Sequence, residues 1–85
     1  MSSEALMDRL EEAEALMADG FDDALIGQDV QTGRAVYDAD KMRTILIERD
    51  SVSYDEAQEY LEFNTFGAYV GEMTPIYIYM KSAYS

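Results

Sequence analysis

The chain has 85 residues, 48% of them apolar, with seven tyrosines, three phenylalanines and no tryptophan. Eighteen acids against six bases leave a net charge of −12, which opposes contact with a phosphate backbone and favours a basic protein surface. With neither cysteine nor histidine, there is no disulfide framework, no thiol or imidazole chemistry and no Cys/His metal site.

The length suits one domain, 1–85. A chain of this size buries only about two-thirds of its unfolded surface. No apolar run approaches the ~20 residues of a membrane span, and the N-terminus lacks the basic-then-apolar pattern of a signal peptide. The expectation is a protein of a reducing compartment that makes no membrane contact.

An acidic helix is predicted over 3–19, capped by Ser2 or Ser3, with Glu4 at the positive end of the helix dipole. Leu6, Leu10, Ala13 and Met17 recur at helical spacing, and Asp8, Glu11, Glu12 and Glu14 fall off that stripe. Gly20 is the expected C-cap. Asp19, Asp22 and Asp23 extend the acid beyond it. Residues 1–23 carry eight acids and one base, the densest charge in the chain.

A β-hairpin is predicted over 24–37, turning at Gln31-Thr32-Gly33-Arg34, with Gly33 as the positive-φ residue. Gly27, in mid-strand, marks a bulge or a close backbone approach. A helix follows over 39–50, capped by Asp38 or Asp40, with Met42, Ile45, Leu46 and Arg49 on one side. Ser53-Tyr-Asp-Glu56 is a capping box for a helix over 53–64. Ala57, Tyr60, Leu61 and Asn64 form its inward stripe.

Asn64, Gly67, Gly71, Thr74 and Pro75 are expected to build an irregular loop that sets the last strand in register, with Asn64 and Thr74 satisfying free backbone groups. Tyr69 and Glu72 would be displayed on that loop, Glu72 within reach of Arg43 or Arg49. Strand 75–80 alternates Ile76, Ile78 and Met80 with Tyr77 and Tyr79. Its tyrosine face is either covered by the first helix or open as a homodimer edge. The order is α-β-β-α-α-β, an α+β fold with one three-stranded, mostly antiparallel sheet packed with helices.

No catalytic constellation, cofactor fingerprint or metal loop is present in the sequence, so the chain is expected not to be an enzyme. Asp38 and Asp40 read as helix caps, not metal ligands. The expected partner-binding residues are Asp8, Glu11, Glu12, Glu14, Asp19, Asp22 and Asp23, together with Tyr69 and Glu72. An alternative is a small-molecule sponge for a signalling nucleotide, drawing on Arg34, Lys41, Arg43 and Arg49.

Residues 59–76, Glu-Tyr-Leu-Glu-Phe-Asn-Thr-Phe-Gly-Ala-Tyr-Val-Gly-Glu-Met-Thr-Pro-Ile, resemble the C-terminal signature of a family of small proteins encoded by tailed bacteriophages. Residues 19–27 and Val36-Tyr37-Asp38 are similar to the same family, so the resemblance spans 19–79 and leaves out the acidic first helix. It implies phage origin and expression in a bacterial cytoplasm, and it brings no catalytic or binding residues with it. Small acidic phage proteins are often inhibitors of host machinery or of antiviral defence, some in the manner of anti-CRISPR proteins or DNA mimics. By analogy of class, the expected partner is a bacterial host protein with a basic surface.

Overall fold

A computed structural model describes residues 3–81. Its elements are α1 (Ser3–Glu12), a 3-10 turn (Asp22–Ala24), β1 (Leu25–Gln28), β2 (Ala35–Asp38), α2 (Ala39–Asp50), α3 (Tyr54–Leu61), a π-helical turn (Glu62–Phe66) and β3 (Ile76–Ile78). The order is α-β-β-α-α-β, and the class is α+β.

The first helix is shorter than its periodicity predicts. It ends at Glu12, not at residue 19. Glu14 takes the left-handed conformation, φ 56. The amide of Ala15 donates to the Leu10 carbonyl at 2.9 Å and that of Glu14 to the Glu11 carbonyl at 3.0 Å. This is the paired 6→1 and 5→2 closure of a Schellman motif, with glutamate where glycine is usual. Gly20 also has positive φ, 85, but it turns the following loop and does not cap the helix. The expected cap Ser2 lies outside the described residues.

The hairpin turn is held by Asp29, whose carboxylate accepts from the Thr32 amide at 2.8 Å and the Thr32 hydroxyl at 2.6 Å. The hydroxyl bond, then the amide bond, holds the Asp29 carboxyl below its ordinary value. Gly33 sits at φ 80 as predicted, and a Cβ there would lie 3.0 Å from that of Ala13. The strands pair Leu25 with Tyr37 and Gly27 with Val36, so Ile26 is the extra residue of a bulge.

Asp38 is the N-cap of α2, its carboxylate accepting from the amides of Asp40 and Lys41. Ser53 and Glu56 close the predicted capping box of α3. That helix gives way to the π turn after Leu61, three residues before the predicted end. Only Ala57 and Leu61 of the predicted inward stripe are buried; Tyr60 and Asn64 are exposed, as is Phe63 beside them.

The last strand is three residues long, not six, and it runs parallel to β2, pairing Val36 with Ile76 and Asp38 with Ile78. The sheet, ordered β1-β2-β3, is therefore mixed: one antiparallel and one parallel pair in place of the mostly antiparallel sheet expected. Tyr37, on the central strand, is fully enclosed at 0% exposure. Around it lie Leu10 of α1, Phe21, Met42 and Leu46 of α2, and Ala57 and Leu61 of α3, one continuous core.

Candidate functional site

The predicted acids of α1 sit opposite its buried face. Leu10 is buried and Leu6 packs against the core, while Asp8, Glu11, Glu12 and Glu14 are exposed. The loop after the helix is tied to the core at two points. The Ala18 amide donates to the Tyr37 hydroxyl at 2.9 Å. On the other side the Arg49 guanidinium donates to the Gly20 carbonyl at 3.1 Å and lies 5.4 Å over the buried Phe21 ring. Both anchors leave Asp19, Asp22 and Asp23 exposed. Burial pushes the Tyr37 hydroxyl above its ordinary value; the Ala18 amide opposes that shift, and the charges of Asp22 and Asp19 add to it.

Except for half-buried Asp29 and Asp38, every aspartate and glutamate is exposed. Three of the six bases are engaged by groups of the fold. Arg34 donates through Nε to the Thr74 carbonyl. Arg43 reaches Asp40 at 2.6 Å and Gln58 at 2.7 Å, and lies 4.4 Å over the Tyr54 ring. Arg49 adds contacts to the neighbouring Asp50. The expected link from Glu72 to Arg43 or Arg49 is therefore not made: both guanidiniums are engaged elsewhere, and Glu72 is exposed.

The irregular loop 67–75 is organised by Thr74, only 7% exposed. Its hydroxyl accepts from the Val70 amide at 2.9 Å and donates to the Gly71 carbonyl at 2.6 Å. Asn64 donates to the Tyr60 carbonyl at 3.1 Å, a backbone group one turn back in α3. Gly67 closes the π turn, and buried Pro75 leads into β3. Tyr69 is held outward on this frame, 75% exposed. The two rings of the predicted strand 75–80 part company. Tyr77 is half-buried against Phe66 at 5.1 Å and Tyr37 at 6.1 Å, while Tyr79 is 63% exposed. Of the two alternatives for this face, cover by the first helix or an open edge, neither holds for both rings: Phe66 of the π turn packs on Tyr77, and Tyr79 is left for an edge contact.

Two clefts flank the chain that enters β3. One, of about 450 Å³, lies between loop 16–21 and residues 60–77; it sets Asp19 on one wall and Val70 on the other. The other, of about 660 Å³, is lined by Arg34, Phe66, Tyr69, Tyr77 and Tyr79. Two expected groups of site residues, the acidic loop and the 67–75 loop, thus meet through Asp19 at the first cleft. The α1 acids do not line it. In the second cleft Arg34 was expected only for the nucleotide-sponge alternative, together with Lys41, Arg43 and Arg49, none of which lines it, and Phe66 was not among the expected site residues. The role of Arg34 and Phe66 follows from contact across the fold, and the only local hint is an arginine placed just before a strand.

No protein-family model, curated protein or solved structure matches the chain.

Among the described residues, no group of three or more acidic, histidine or cysteine side chains is placed to hold a metal ion. Nor is any helix among them long and apolar enough to cross a membrane.

Proposed function

We propose that this chain is a small, non-enzymatic phage protein of the bacterial host cytoplasm, an inhibitor that binds a basic surface on a host protein of defence or nucleic-acid handling. The observation that carries the reading is the disposition of charge. The acids of α1 and of residues 19–23 are exposed, while Arg34, Arg43 and Arg49 are bonded within the fold. The outward field is therefore acidic and weakly compensated. Such a field repels nucleic acid directly and steers association with proteins that bind it. Tyr69 adds an aromatic anchor on a loop held by Thr74.

The test is to express the tagged protein in a bacterium and identify what co-purifies at low and at high salt. A stoichiometric partner released at high salt is expected, because contacts between exposed charges are screened. Neutralising Glu11, Glu12, Asp22 and Asp23 together should release the same partner at low salt. Recovery of the protein alone at low salt would overturn the reading.

A further inference from the structure

The cleft of about 660 Å³ beside β3 is lined by none of the chain's acids. Arg34 and four aromatic rings line it, two of the rings largely exposed. Arg34 differs from Arg43 and Arg49. Each of those meets a carboxylate, an uncharged acceptor and a ring. Arg34 is fixed through Nε alone, on the Thr74 carbonyl, with no carboxylate in ion-pair contact among the described residues. Its charge is felt by Asp29, which lies in the hairpin turn and not in the cleft. A guanidinium held at Nε keeps its two terminal nitrogens as a planar fork for an oxyanion. Exposed tyrosine faces beside it suit a flat ring.

We propose that this cleft binds a planar aromatic ring carrying a single oxyanion. The ring would lie against Tyr69 and Tyr79, and the phosphate or carboxylate would take the Arg34 fork. The volume falls within the range of small-molecule sites. One arginine within a field of net −12 selects a singly substituted ligand over a polyphosphate. The site does not depend on the acidic face, and its salt response has the opposite sign. Salt screens the long-range repulsion between an acidic protein and an anion more than it screens a contact pair. Affinity therefore holds or rises with salt, whereas the acidic face loses its partner.

The experiment is titration of the isotope-labelled protein, followed by the amides of Ala39, Gly67 and Ala68, which line the cleft. The probes are adenosine 5′-monophosphate, adenosine and 4-hydroxybenzoate. Saturable shifts at these amides with the monophosphate and not with the nucleoside support the site and identify a nucleotide. Shifts with the benzoate alone support it and identify an aromatic carboxylate. Tyr69→Ala and Tyr79→Ala alter exposed rings, so they test the site without disturbing the core; each should weaken binding about tenfold. Arg34→Lys, which keeps the charge and removes the fork, should weaken it by a similar factor. No saturable shift with any probe at millimolar concentration overturns the proposal. So does unchanged affinity in both tyrosine variants, or a response confined to residues 16–21.

Discussion

Replacing Tyr37 by Phe isolates one oxygen atom. The ring is fully enclosed, and phenylalanine fills the same space. What is lost is the hydroxyl that accepts the Ala18 amide at 2.9 Å, the contact that fastens the acidic loop to the central strand. A buried donor left without its partner costs about 1–3 kcal/mol. Ala18 is only half-buried, so water reaches the freed amide in part and the lower end applies, about 1–1.5 kcal/mol. In a domain of this size each kcal/mol moves the Tm by roughly 4–8 °C, so a fall of about 4–12 °C is expected in a thermal melt followed by far-UV circular dichroism. Amide exchange at Ala18 should accelerate beyond the global loss of stability. Tyr79→Phe is the control, since that residue is exposed and among the described residues its hydroxyl meets Gln58 alone, at 3.4 Å. A Tyr37→Phe protein melting with the wild type, its Ala18 protection unchanged, would refute the idea that this bond anchors the loop.

Glu14→Gly should stabilise the protein by about 0.5–1 kcal/mol in urea denaturation, because it relieves a side chain held at φ 56. Thr74→Val keeps the shape but removes both the bond from the Val70 amide and the bond to the Gly71 carbonyl; a loss of about 1–3 kcal/mol is expected, and an unchanged urea midpoint would count against Thr74 as the organiser of the loop. Alkaline pH should also destabilise the fold. Burial raises the hydroxyls of Tyr37 and Tyr77 above the ordinary value of 10.0, so the unfolded chain ionises first. The stability these groups contribute is complete below pH 10 and is lost as the pH rises through their folded values. A protein with both tyrosines changed to Phe should show a shallower alkaline decline in Tm, and an identical slope would contradict the sign.

The elements that could be read from sequence are those set by residues three or four positions apart. Asp38 and the Ser53–Glu56 box act on amides within their own turn. Gly33 answers a local demand for positive φ, and Thr74 bonds within its own loop. What could not be read was decided across the fold. Ala15, Leu16, Met17 and Ala18 suit a helix by type and spacing, yet the helix ends at Glu12, the chain turns away at Glu14, and Ala18 bonds to a hydroxyl nineteen residues away. The direction of β3 depends on where loop 67–75 delivers the chain, which no local pattern encodes. The exposed acids were legible because charge of that density has no room inside. The Arg34 cleft as a whole was not, since its arginine and its rings are about forty residues apart and are brought together by the pairing of β2 with β3 and by the Arg34–Thr74 bond.

The parallel pairing of β3 has a consequence for how the molecule opens. Its partner residues 36–38 and 76–78 enclose a loop of about 40 residues, whose closure costs roughly 1.7 kcal/mol more chain entropy than the short hairpin connection. Only three residues on β3 repay it. The last strand is therefore the segment to detach first in native-state fluctuations, while the hairpin and the helices persist. Each detachment bares the edge of β2 and the rings of Tyr37 and Phe66. A naked strand edge is a template for joining another chain, and the net charge of −12 on each molecule works against two such partly opened copies meeting.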